Sequence, residues 1–225
     1  MKEMDGVLVV IQARYNSTRL PGKALYPLGG RPMLAYLLER LGGGPWRLCL
    51  ATTEGPEDDA LAAWGHALGV PVVRGEGEDV LARYVRCLDA HGAVAVVRVT
   101  GDNPLTCPEL VTLAARAVCA GADYAALPTG CPVGLGADAF AAPVLRRLAR
   151  EAAPGPEREH INLHVLNNPG RYSVAVPTLP PACQRGDLRF TVDTSRDHQA
   201  LARFVSACPG GRVPLGLQDI VRLHG

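Results

Sequence analysis

VLVVIQARYNSTRLPGK, Val7 to Lys23, is the stretch on which the fold is read. Val7–Gln12 is a short apolar run rich in β-branched residues, and such a run reads as a strand buried on both faces. Ala13 to Lys23 then mixes glycine, proline, serine, threonine and arginine without a helical or alternating period, so it reads as a loop leaving the strand's carboxyl end. The same unit, strand, polar turn, amphipathic helix, recurs outward along the chain, the pattern of an α/β protein with a mostly parallel central sheet. Strands are predicted at Val7–Gln12, Arg47–Thr52, Val70–Val73, Val94–Thr100, Tyr124–Leu127, Tyr172–Val176 and Leu188–Val192. Helices are predicted at Pro32–Leu41, Pro56–Leu68, Asp79–His91, Pro108–Ala120, Ala137–Glu151, Pro156–Asn167, Arg196–Cys208 and Leu217–His224, several opened by proline in the first turn.

Composition bounds the reading. The chain has 225 residues, enough for a sizeable core without disulfides, and no linker composition separates two halves, so residues 1–225 are expected to form one domain. Lys and Arg number 23 against 22 Asp and Glu, and this balance excludes a general nucleic-acid binder. No uncharged stretch approaches the length that spans a bilayer, so a cytoplasmic protein with no membrane partner is expected. The seven cysteines are scattered without a Cys-x-x-Cys pair and read as reduced, small apolar residues. Only Lys2 and Lys23 among the basic residues are lysines, so Lys23 is an exception that asks for a reason.

In open α/β sheets ligands bind beyond the carboxyl ends of the strands. The predicted strands there deliver Ala13-Arg14, Thr52-Thr53, Arg74-Gly75, Gly101-Asp102-Asn103-Pro104 and Asp193-Thr194. In the first of these loops Arg14, Ser17, Thr18, Arg19, Gly22 and Lys23 bring cations, hydroxyls and backbone amides together, a composition suited to a polyphosphate. It is not a Walker A loop, because Ala24 follows Lys23 and no glycine stands five residues before Gly22. A compact ammonium in an arginine-rich chain suggests a point-charge phosphate contact, against the plainer reading of a solvated basic loop. Asp102 ends an apolar strand and reads either as a ligand for Mg²⁺ (or Mn²⁺) or as a helix N-cap. Asp193 repeats the arrangement, and two such carboxylates at one crevice favour the metal.

Five separated blocks, QARYNSTRLPGK with Leu28-Gly29-Gly30-Arg31-Pro32, ATTEGPEDDAL, GEGEDVLARY, VVRVTGDNPL and LRFTVDTSRD, together with Arg158-Glu159-His160, resemble the cytidylyltransferases. The resemblance is to the spore-coat polysaccharide type, related to the synthetases of CMP-activated octulosonate, neuraminate and pseudaminate, and it covers nearly the whole chain. It implies a three-layer α/β/α nucleotide-diphospho-sugar transferase (GT-A-like) fold. It also implies transfer of CMP from CTP to an acidic sugar or sugar-like acceptor, with release of pyrophosphate, in surface polysaccharide or glycan biosynthesis.

By the same resemblance Arg14, Ser17, Arg19, Gly22 and Lys23 face the triphosphate. Asp102 and Asp193 hold the metal; Ala13 binds the nucleotide; Ala51, Thr52, Asp79 and Arg83 belong to the parts around base and ribose; Arg158, Glu159 and His160 face the acceptor. Lys23, Arg14, Asp102 and Asp193 are the implied catalytic set, and a homodimer is implied because the related synthetases commonly form one. Two departures bear on the acceptor: Ala24 stands where neuraminate synthetases tend to have Asn, and Asn103 where octulosonate synthetases typically have Glu. Two alternatives remain open, a nucleotidyltransferase or glycosyltransferase of the same fold using another nucleotide, and a catalytically silent nucleotide-binding module. The first lacks its Asp-x-Asp signature at 102–104.

Other features read as structural. His160 and His164 stand at a zinc-compatible spacing on a predicted helix but lack a third ligand nearby. Asp58-Asp59 suits the first turn of a helix, and Gly42-Gly43-Gly44 ends one. The Gly134-x-Gly136 loop reads equally as a flexible turn or as a flap over an acceptor.

Overall fold

A computed structural model describes residues 4–224; Lys2 and the outermost ends of the predicted domain, residues 1–3 and 225, lie outside them. The strands are β1 Val7–Gln12, β2 Pro27–Leu28, β3 Arg31–Pro32, β4 Arg47–Thr53, β5 Val72–Gly75, β6 Ala95–Thr100, β7 Tyr124–Ala125, β8 Asp138–Ala141 and β9 Val174–Ala175. The α-helices are α1 Met33–Gly42, α2 Asp59–Ala67, α3 Val80–His91, α4 Pro108–Cys119, α5 Ala142–Glu151, α6 Pro156–Glu159, α7 Leu163–Asn167, α8 Ser195–Ala207 and α9 Leu217–His224. Short 3₁₀ turns at Lys23–Leu25 and Pro56–Asp58 flank the site described below.

Seven strands form one sheet in the order β5-β4-β1-β6-β8-β7-β9, with β2 and β3 a separate two-stranded ribbon. β5, β4, β1 and β6 run parallel, and β8 alone is antiparallel to its neighbours. β1 is central and buried on both faces, as its unbroken apolar run requires. Val7, Val9 and Ile11 pack with α1, α2 and α4 on one face, while Leu8 and Val10 pack with α3 and α5 on the other. These are the three α/β/α layers. A further buried cluster, including Leu105, Leu135, Phe190, Val192, Leu201 and Ile220, ties α8 and α9 beside the sheet.

From β1 the chain steps outward to β4 and β5, then returns to the opposite side of β1 for β6. That reversal opens a crevice beyond the carboxyl ends of β1 and β6. The two strand ends approach closely there, the Gly101 N–H donating to Gln12 O at 2.8 Å. A Cβ on Gly101 would stand 2.9 Å from the Ala13 Cβ, so only glycine lets them meet.

Three predicted elements differ. Ala137–Glu151 was expected as one helix, but Asp138–Ala141 forms the antiparallel strand β8 and α5 starts at Ala142, with Pro143 in its first turn. Pairing of Asp138 with Arg98 across the sheet, beyond the reach of local propensity, selects the strand. Leu188–Val192 is extended but is no ladder strand, because its backbone changes partner from Val133 at Leu188 and Phe190 to Asp102 at Val192. Pro156–Asn167 breaks at His160 into α6 and α7, so His160 and His164 do not share a helix, and His164 Nδ1 instead meets Glu157 Oε2 at 2.7 Å. Thr194 does open α8, in a capping box with Asp197. Five of the seven cysteines are buried.

Candidate functional site

The crevice is a cleft of about 310 Å³ at the carboxyl edge of β1 and β6. The loop after β1 forms one wall. Its shape is set at Tyr15, whose carbonyl accepts the N–H groups of Ser17 at 2.8 Å and Gly22 at 2.7 Å, closing residues 15–22 into a ring. Gly22 makes the turn at φ +70°, packed so closely on the Tyr15 ring that a Cβ would lie 2.9 Å from it. Lys23 then opens a 3₁₀ turn, which fixes the direction of its side chain.

Lys23 Nζ is the hub of the cleft. It donates to Val192 O at 2.7 Å and lies 3.2 Å from Asp102 Oδ2 and 3.4 Å from Asp193 Oδ1. The two carboxylates, far apart in sequence, thus converge on one cation. Asp102 Oδ1 accepts the Thr100 hydroxyl at 2.6 Å, and the Asp102 carbonyl accepts Val192 N–H, stitching the two chain segments together. Asp193 also meets Arg19 at 2.7 Å and Arg189 at 2.7 Å, while its N–H donates to Asp197 in the α8 cap. The N-cap reading of Asp102 is excluded by position, because α4 begins at Pro108 with Cys107 as its cap. Two carboxylates with hard oxygen donors suit a small divalent cation that also takes phosphate oxygens, so the donor set fits Mg²⁺. Among the described residues no group of three or more His, Cys, Asp or Glu is arranged to hold a metal unaided.

Arg14 of the same loop and Val80, Arg83, Arg98, Glu159 and His160 from other segments also line the cleft. Arg14 reaches Gly77 O and Glu159 Oε1, each at 3.4 Å. Arg83 donates to the carbonyls of Glu76 and Gly77; burial lowers its affinity for the proton, and its Nε has no hydrogen-bond partner among the described residues. Arg98 grips Asp138 through Nε at 2.8 Å and Nη2 at 2.9 Å, and Tyr124 donates its hydroxyl to the same carboxylate at 2.8 Å. Burial opposes the charge on Arg98, yet Asp138 outweighs it and holds the guanidinium above its ordinary pKa. Burial first, and Asp138 second, push the Tyr124 phenol up.

Of the residues given a binding or catalytic role in the sequence, ten line this cleft, Ala13, Arg14, Ser17, Arg19, Lys23, Arg83, Asp102, Glu159, His160 and Asp193, and Thr18 of the same loop lines it too. Five do not. Gly22 sits behind Lys23; Ala51 and Thr52 are fully buried in β4, where Ala51 O holds the Ala13 N–H at 3.0 Å. Asp79 caps α3 by accepting the Ala82 N–H at 2.8 Å, and Arg158 is engaged with Asp79 and with Ala149 O. Gly134 is half-buried, its backbone packed against Thr191.

Gln12, Arg98 and Thr100 line the cleft without having been singled out. Gln12 Oε1 is buried without a hydrogen-bond partner among the described residues. The signal for all three was available: each is a polar side chain on an otherwise apolar strand, near or at its carboxyl end.

A mostly parallel α/β sheet with a cationic loop and paired carboxylates at its switch point defines a protein built to handle a phosphorylated ligand. The family model described as Cytidylyltransferase matches residues 8–220, and the chain belongs to that family. It is 34% identical over 228 residues to the spore coat polysaccharide biosynthesis protein SpsF of Bacillus subtilis, a match covering 98% of this chain and 94% of that one. It is 37% identical over 110 residues to the 3-deoxy-manno-octulosonate cytidylyltransferase of Aeromonas salmonicida, covering 46% of this chain and 42% of the relative. The solved structure of a cytidylyltransferase from Leptospira borgpetersenii superposes with a TM-score of 0.88 at 27% identity, over 97% of this chain and 93% of that one. The chain is therefore a nucleotidyltransferase, with the nucleotide-sugar transferase fold.

Proposed function

We propose that this chain transfers the cytidylyl group of CTP to a hydroxyl of an acidic sugar or sugar-like acceptor and releases pyrophosphate, in the making of a surface polysaccharide. The observation that carries the reading is the seat of Lys23 between Asp102 and Asp193, at the base of a loop that also aims Arg14, Ser17 and Arg19 into the cleft. Similarity to a spore-coat polysaccharide protein and to an octulosonate cytidylyltransferase supports the acceptor class.

In this reading the acceptor oxygen attacks the α-phosphorus in line. The new O–P bond forms as the bond to the β-phosphate bridging oxygen breaks, the hydroxyl proton passes to solvent, and pyrophosphate carries away the electron pair. Lys23, Arg19 and Arg14 bind the triphosphate and neutralise the charge that builds on the leaving group. Asp102 and Asp193 would hold Mg²⁺, which when bound screens the α-phosphate and favours the incoming alkoxide. Glu159 and His160, across the cleft, face the acceptor. Residues 1–225 act as one nucleotidyltransferase domain, cytoplasmic and homodimeric, on small-molecule substrates and without nucleic acid. Among the described residues no helix is long and apolar enough to cross a membrane.

The test is pyrophosphate release with Mg²⁺, offering CTP, UTP, ATP and GTP in turn against a panel of 3-deoxy-2-keto sugar acids. Release with CTP and one acid is expected and names the acceptor. Release only with another nucleotide would overturn the cytidylyl assignment.

A further inference from the structure

Asp58 is one of a pair of acids whose sequence position suggested only a favourable helix start, yet it is fully buried and touches the phosphate-facing loop. Its Oδ1 accepts the backbone N–H of Tyr15 at 2.6 Å. Its Oδ2 accepts the Thr53 N–H at 2.9 Å, the Thr52 hydroxyl at 2.9 Å and the Thr53 hydroxyl at 2.5 Å. Four donors fill the acceptor capacity of one carboxylate, and no other side chain of this size supplies four acceptor sites. Three of the donors belong to the end of β4, so that half of the carboxylate is anchored in the sheet. The fourth is the residue that organises the loop after β1, since the Tyr15 carbonyl holds both Ser17 and Gly22. Beside it Asn16 Nδ2 donates to Glu57 Oε1 at 2.9 Å, a second bond between the same two segments.

From this arrangement we infer that Asp58 is a positioning residue for nucleotide binding. It ties the ring of residues 15–22 to β4 and so sets where Ser17, Arg19 and Lys23 meet the triphosphate. Asp58 does not line the cleft, and it reaches the loop through the Tyr15 amide. The inference rests on the reading of that loop as the triphosphate site.

The experiment compares binding of Mg²⁺-CTP by titration calorimetry, together with melting temperature, in the wild type, Asp58→Asn and Thr53→Val. Asn offers one acceptor oxygen in place of two and orphans at least one donor. Thr53→Val removes a donor to the same carboxylate but leaves the Tyr15 bond in place. Both variants are expected to melt below the wild type. Only Asp58→Asn is expected to weaken CTP binding, by about tenfold or more, the equivalent of one charge-assisted hydrogen bond. Asp58→Glu, which keeps both oxygens but lengthens the tether by one methylene, carries the comparison if the Asn variant does not fold, with the same loss of affinity expected. Unchanged affinity in the Asp58 variants, or an equal loss in Thr53→Val, would overturn the positioning role. A wild type that does not bind Mg²⁺-CTP would overturn the nucleotide reading itself, and this inference with it.

Discussion

At the scale of single residues, the hydrogen-bond geometry of the cleft turns on Lys23. Its ammonium is held by a carbonyl and two carboxylates at once, a seat suited to a compact cation with rotatable donors. Lys23→Met is expected to lower the rate of pyrophosphate release by about 100-fold or more. Lys23→Arg should not restore it, because a planar fork cannot replace a point charge there; steady-state kinetics of the two variants check this, and a fully active Arg variant would refute it. Asp102→Asn and Asp193→Asn are each expected to abolish turnover while leaving the far-UV spectrum unchanged. Across the cleft, Asp138 is 3% exposed and pairs Arg98, so removing one partner strands a buried charge. Asp138→Ala is expected to destabilise the protein by about 3–5 kcal/mol in urea unfolding, and Arg98→Met combined with Asp138→Leu by distinctly less. Lys23 was legible as a rare lysine in an arginine-rich chain, and Asp102 and Asp193 as carboxylates that end apolar extended runs. Asp58 was not, since nothing local shows that Tyr15 lies above it.

At the scale of elements, α8 links stability to the site. Its capping box satisfies the helix start, and Asp197 of that box also accepts the Asp193 N–H at 3.0 Å. Thr194→Ala is expected to cost about 1 kcal/mol, the usual loss for an N-cap, measurable by thermal melting. Burial alone would raise the Asp197 carboxyl, but hydrogen bonds from the Thr194 hydroxyl and from the Thr194 and Asp193 N–H groups outweigh it and hold it below the ordinary range. A folded-state value below the unfolded one stabilises the fold above the ordinary aspartate value and loses that contribution as pH falls through the depressed one. The wild type should therefore lose stability on acidification below about pH 4, and Asp197→Asn should lose less over the same range; equal acid loss in both would refute the assignment. α4, with proline in its first turn, was readable from sequence to within a residue, expected at Pro108–Ala120 and formed at Pro108–Cys119. β8 was not, since its alternation is too short to exclude a helix and its strand state comes from pairing with β6.

At the scale of the whole molecule, the seat of Lys23 exists because three distant segments meet: the loop after β1, the end of β6, and residues 188–193. The last is held by backbone bonds to Val133 and Asp102. The two carboxylates already share Lys23, so removing divalent metal should leave the fold intact. Chelation is expected to abolish pyrophosphate release, which Mg²⁺ restores, with no change in circular dichroism. A chelator that unfolds the protein, or leaves turnover untouched, would refute this. What the sequence by itself determined is the alternation of strand and helix, the buried central strand and the loop chemistry at its end, because hydrophobic period, proline placement and residue type are local properties. Tertiary structure alone decided that Leu188–Val192 shares its backbone bonds between two partners, that Asp138 enters a strand, and that Arg158 and Asp79 pair away from the cleft. It also decided that Asp58 holds the loop. Each of these depends on which side chain or amide arrives from far along the chain, and a hydrogen bond between distant residues leaves no periodic trace in either segment.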